Sequence, residues 1–156
     1  MLAIAAALVL AATPTISLDK VLAKPTTKVR SQTKLSILLP KSFPTNDTAI
    51  KLYAKGDGSR DRYTFRLTTT RSCEANYCFA AAFHAERGAA KLPGGTRVKL
   101  AKGRKGTYWK LSCGASCAPA VISWTERGAT YAIEAMVKGS AGMKAMANEA
   151  IKRGPR

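Results

Sequence analysis

Two periods divide the chain. Between residues 50 and 137 apolar and polar residues alternate in short runs, the two-residue period of strands with one buried face. Ile50, Leu52 and Ala54 alternate with Lys51, Tyr53 and Lys55. Tyr63, Phe65 and Leu67 alternate with Thr64, Arg66 and Thr68, and Phe79, Ala81 and Phe83 with Ala80, Ala82 and His84. Shorter runs follow at residues 98–100, 108–111, 121–124 and 130–137. Gly56-Asp57-Gly58, Pro93-Gly94-Gly95, Lys102-Gly103-Arg104-Lys105-Gly106 and Glu126-Arg127-Gly128 read as the turns between them. From Ser140 the period becomes helical. Met143, Met146, Ala147, Ala150 and Ile151 fall on one stripe, with Ser140 as the expected cap and Gly154-Pro155 as the stop. An apolar run at residues 35–39, closed by Pro40, opens the series. The pattern predicts an α+β domain over residues 35–156: an antiparallel, meander-like sheet of six to seven strands with one C-terminal helix packed on it.

The first dozen residues carry no such alternation. Residues 1–12, MLAIAAALVLAA, form an apolar run too short to span a bilayer, which takes about 20 residues. It matches the hydrophobic region of a secretory signal peptide, although no Lys or Arg precedes it. Val21-Leu22-Ala23 places small residues for cleavage after Ala23, and a cut after Ala11 or Ala12 is the alternative. The first option makes residues 1–23 the signal and residues 24–34, Thr- and Lys-rich without an acid, a flexible lead-in. The expected location is secreted or periplasmic.

Cysteine usage agrees with export. The four cysteines form two close pairs, Cys73/Cys78 and Cys113/Cys117. An even count behind a signal peptide reads as disulfides, and four cysteines allow three connectivities. Two local bridges are favoured because each pair brackets a turn-forming stretch, with Asn76 in one and Gly114 in the other. A four-cysteine zinc site fits less well, since the first pair is spaced one residue too wide. No metal or other cofactor is expected.

Charge changes the picture most. The chain of 156 residues carries 26 Lys and Arg against nine Asp and Glu, a formal net charge of +17. Removing residues 1–23 takes one charge of each sign, Asp19 and Lys20, and leaves the balance unchanged. Such a surface attracts polyanions. No acid lies between Glu86 and Glu126, or between Lys20 and Asn46. The densest basic part, residues 99–110, carries Lys99, Lys102, Arg104, Lys105 and Lys110 beside Tyr108 and Trp109. These five cations form the candidate anion-binding set, for anionic envelope polymer or lipid head groups. Alternation sends Tyr108 and Trp109 to opposite faces, so one ring belongs to the core. Nucleic acid is the least favoured polyanion for an exported chain, and no zinc-finger or RNP signature is present.

Catalytic constellations are hard to build here. His84 is the single histidine. It shares a strand face with Glu86, which would orient an imidazole for general-base work, but no GxSxG elbow supplies a nucleophile. Asp57 and Asp61 flank a turn without the ligand spacing of a calcium loop. A non-enzymatic role is therefore expected. The alternatives are a carrier of an apolar ligand or lipoprotein, a regulatory ectodomain and, behind these, a hydrolase using His84.

The last third adds a resemblance. Cys113-Gly-Ala-Ser-Cys117 is followed by Trp124-x-x-x-Gly128-x-x-Tyr131-x-Ile133 and a short helix with Ala147-Asn148-x-Ala150-Ile151. In this it resembles small exported bacterial envelope proteins of cyanobacterial type, a group without assigned function. The resemblance implies export and a strand-turn-strand-helix ending, and it carries over no catalytic residue.

Overall fold

The computed structural model describes residues 13–156. In chain order it contains β1 (Thr15–Ser17), α1 (Asp19–Gln32), β2 (Ser42–Pro44), β3 (Tyr53–Ser59), β4 (Arg62–Thr68), β5 (Phe79–Arg87), β6 (Thr96–Lys99), β7 (Lys105–Trp109), β8 (Ser112–Cys113), β9 (Cys117–Ala118), β10 (Ala120–Glu126), β11 (Ala129–Ala135) and α2 (Ser140–Arg153). Seven strands form one antiparallel sheet in the order β3-β4-β5-β11-β10-β7-β6. The expected α+β class, strand number and C-terminal helix are all present. The path is two meanders rather than one. β3-β4-β5 runs inward from one edge, β6, β7, β10 and β11 run inward from the other, and the two meet where β5 pairs with β11.

Alternation sorts the two faces. Tyr63, Phe65 and Leu67 of β4 lie beside Ala85, Phe83 and Ala81 of β5, and these beside Tyr131, Ile133 and Ala135 of β11. Ile122 and Trp124 of β10 continue the face. All are buried and share one hydrophobic core with Leu22 and Val29 of α1 and with Met143, Met146, Ala147, Ala150 and Ile151 of α2. Both helices therefore cover the same face. The apolar run at residues 35–39 joins this core as an irregular segment without a ladder of its own. Tyrosine hydroxyls satisfy its backbone instead: Leu38 N donates to Tyr63 Oη at 3.1 Å, and Tyr131 Oη donates to Ser36 O at 3.0 Å. Burial pushes the Tyr63 phenol above its ordinary range.

Three local expectations change. Residues 24–34 are no flexible lead-in: through residue 32 they are the body of α1, with Thr26 and Val29 buried. Residues 13–23 belong to the same fold. β1 pairs with β2, Leu18 and Leu22 are fully buried, and Asp19 accepts hydrogen bonds from Arg153 and Arg156 at the far end of the chain. A boundary after Ala23 would thus fall inside α1. The expected signal run, residues 1–12, lies outside the described residues. Gly56-Asp57-Gly58 is strand rather than turn, and the chain reverses at Arg60-Asp61. Glycine is required at 56 by close helix packing, since a Cβ there would come within 2.9 Å of Val29 Cγ2. Ser140 is the first helical residue and makes no cap; Gly139, at φ +76°, occupies the cap position.

Four carboxyl groups are held below their ordinary range. The first cause is a hydrogen bond from Arg153 for Asp19, from Lys28 for Asp57 and from Arg104 for Glu126, and for Glu134 it is His84 beside it. A carboxyl lowered in the folded state contributes stability that is fully present above its unfolded pKa, near 4, and is lost as pH falls through the folded value. Melting followed by circular dichroism should be flat from neutrality to about pH 5 and should fall below about pH 4. Glu126→Gln should reduce that acid dependence; an unchanged profile would show that this pair contributes nothing to it.

Candidate functional site

The candidate cations lie on the β6–β7 hairpin, at the edge of the sheet farthest from β3. Lys99 and Lys105 sit opposite each other across the hairpin. Alternation places them on the face without helices, because Gly106 and Tyr108 point toward Trp124 and Ile122 of the core face. Lys102 occupies the tip, in a left-handed conformation with φ +53°. The tip is tied down from three sides. Leu100 is buried, Leu100 N donates to Arg104 O at 2.8 Å, and Ala101 N donates to Asn148 Oδ1 of α2 at 2.7 Å. Lys99, Lys102 and Lys105 are all exposed.

The other two expected residues do not join them. Arg104 forms a two-pronged ion pair with Glu126, Nε to Oε2 at 2.8 Å and Nη2 to Oε1 at 2.5 Å. The acid that ends the acid-free stretch thereby neutralises the one arginine at the tip. Lys110 lies beyond the other end of β7, about 16 Å away at the usual strand rise. Two cations outside the expected five complete the edge: Arg97, on β6 opposite Thr107, and Lys91, in the loop leading to β6. The signal for both was the acid-free stretch itself rather than its densest part.

The aromatic rings divide as alternation requires. Tyr108 packs against the core. Trp109 takes the open face, where its indole Nε1 donates to Pro93 O at 2.9 Å. Gly95 makes that contact possible, since a Cβ there would lie 2.7 Å from the indole. Trp109 is thus clamped under the loop before β6.

Counting partners shows where the charge is free. The described residues hold all 26 Lys and Arg side chains, and six of them are in ion pairs with carboxylates. Lys91, Arg97, Lys99, Lys102 and Lys105 are not among the six. Elsewhere acids interrupt the positive surface: Asp57 faces Lys28, Asp61 faces Arg87 and Glu74 faces Lys55. Asp57 and Asp61 are therefore each held by a separate cation. No group of three or more His, Cys, Asp or Glu positioned to hold a metal occurs among the described residues.

His84 has a different neighbour from the one its strand suggested. Its Nε2 lies 3.2 Å from Glu134 Oε1 of β11, at ion-pair distance but outside hydrogen-bond geometry. Glu86 instead sits opposite Arg62 of β4 and Thr130 of β11. Arg66, on the same face, lies with its guanidinium 4.8 Å from the centre of the Phe79 ring and donates to Glu74 O at 3.1 Å.

The disulfides are the two local bridges, Cys73–Cys78 and Cys113–Cys117. The second links opposed residues of the β8–β9 ribbon. Disulfides of this kind persist in oxidising compartments. No helix among the described residues is long and apolar enough to cross a membrane. Comparison of the chain with family models, curated proteins and solved structures returns no match.

Proposed function

We propose that the protein works outside the cytoplasm as a non-enzymatic binding protein that docks on anionic envelope polymer through its β6–β7 edge. The observation that carries this reading is the one-signed edge: Lys91, Arg97, Lys99, Lys102 and Lys105 stand exposed and pair with no carboxylate among the described residues, and Glu126, the acid at the hairpin, is taken by Arg104. A rigid, anchored tip presents its charges without the entropy cost of ordering a loop on contact. Export is supported by the two disulfides, by the apolar run at residues 1–12 and by the resemblance of the last third to exported envelope proteins.

A salt series tests it, because contact with a polyanion weakens as salt screens it. The triple variant K99E/K102E/K105E should elute from phosphocellulose at markedly lower salt than the unaltered protein. An equal charge reversal scattered over the exposed Lys41, Lys138 and Lys152 should shift elution much less. Coincident elution of the two triples would reduce the edge to net charge alone. Stronger retention on anionic vesicles than on soluble polyanion would move the partner to lipid head groups.

A further inference from the structure

A second site lies at the opposite edge of the sheet. α1 packs beside the edge strand β3, and between them runs a groove of about 690 Å³, within the range of small-molecule sites. Val21 and Pro25 of α1 and Ala54 and Gly56 of β3 give it an apolar wall. Its polar lining is mostly cationic, from Lys24, Lys28, Lys55 and Arg66, with Thr64 and one carboxylate, Asp57, which is held by Lys28.

Helix geometry produces this division. Leu22, Thr26 and Val29 form the buried stripe of α1. Val21 and Pro25 are half-buried on the flank of that stripe, and Lys24 and Lys28 are one step farther round and exposed. Lys20, Lys24 and Lys28 repeat every four residues, so like charges stack along one line and repel. Lys28 donates to Gly56 O at 3.1 Å and to Asp57 Oδ1 at 3.3 Å. Lys24 has no ion-pair partner among the described residues.

Pro25 is the second observation. It sits inside α1, where it carries no N–H for the Val21 carbonyl and where proline is the least favoured residue. Departures from local propensity of this kind concentrate at functional or strained positions. Here the break falls on the groove wall and places a rigid apolar ring beside Val21.

We propose that this groove binds a single-chain anionic amphiphile as a monomer, its tail along Val21, Pro25 and Ala54 and its head group at Lys24, the lysine of the wall that Asp57 does not hold. The combination selects the ligand. An uncharged apolar molecule leaves Lys24 without a counter-charge, and a small anion leaves the apolar wall uncovered. The amphiphile satisfies both. The site is separate from the β6–β7 edge, so either reading can fail alone.

Dodecanoate below its micelle concentration is the probe, titrated calorimetrically into the oxidised protein. One molecule should bind per chain, and acetate and dodecyltrimethylammonium should bind at least tenfold more weakly. Lys24→Glu should weaken dodecanoate at least tenfold without lowering the melting temperature, since Lys24 makes no ion pair among the described residues and the change relieves the repulsion along the lysine line, and Lys24→Arg should retain it. K99E/K102E/K105E should leave the titration unchanged. The proposal is overturned if dodecanoate does not bind, if acetate or the cationic amphiphile binds as well, or if Lys24→Glu has no effect.

Discussion

A chain that begins at Lys24 will not reach the native state, whereas one that begins at Thr13 will melt cooperatively at the full temperature. Cleavage after Ala23 would remove Leu18 and Leu22, both fully buried in the core shared by the helices and the sheet. Truncating one buried leucine to alanine costs about 2–5 kcal/mol. Losing two entirely approaches the whole stability of a domain, about 5–15 kcal/mol. The cut would also take β1 from its pairing with β2 and Asp19 from Arg153 and Arg156. α1 would start within one residue of Pro25 and lose its first turn. Chemical denaturation followed by circular dichroism on the two chains decides the matter. A cooperative transition of normal midpoint from the shorter chain would refute the role given to Leu18 and Leu22. On the export reading, mass spectrometry of the exported protein should find Ala12 or Thr13 at its start, the cut that leaves the described fold whole.

The alternation in β4, β5, β10 and β11 was legible because each strand buries one face only, which is the condition under which a two-residue period reports a strand. The α2 stripe was legible for the same kind of reason: all five of its predicted residues are buried. α1 was hidden by its own composition. Lys, Thr and Pro dominate its outer side, its interior proline is a stop signal to any reading of propensity, and its buried residues are few and spaced as Leu22, Thr26 and Val29. Tertiary packing against β3, and not local preference, makes it a helix. Gly56 misled for a related reason. Its missing side chain is required by a helix dozens of residues earlier, a long-range fact that looks locally like a turn.

The candidate site was legible in part. Acid-free stretches located the basic hairpin, because a charge without a nearby opposite in sequence often lacks one in space. The rule failed at Arg104, whose partner Glu126 lies 22 residues on and reaches it through the pairing of β7 with β10. It failed at Lys110 because a strand carries residues apart as fast as a chain allows. The groove beside α1 is not legible in the sequence, because a leader boundary after Ala23 cuts through the helix that forms its wall. The +17 charge is therefore not one coat. Asp57, Asp61 and Glu74 break it up around β3 and β4, and no carboxylate outside the Arg104 pair interrupts the β6–β7 edge.

Phe83→Ala should lose about 3–5 kcal/mol, the range for removing a buried phenylalanine. Phe83 is 1% exposed and sits at the seam of the two meanders, opposite Phe65 of β4 and Ile133 of β11. Its neighbours on the same face of β5 are Ala81 and Ala85, too small to fill the space it leaves. The strands on both sides are hydrogen-bonded into the middle of a seven-stranded sheet and cannot close over the gap, so the loss should fall toward the upper end. The adjacent residue gives the control. His84 lies on the open face, its side chain 35% exposed beside Glu134, and that pair contributes about 0–1 kcal/mol at such exposure. His84→Ala should therefore leave the urea midpoint nearly unchanged while Phe83→Ala lowers it severely. Similar midpoints for the two would mean that the helix-covered face is not the core and that the division of the sheet into a buried and an open side is wrong.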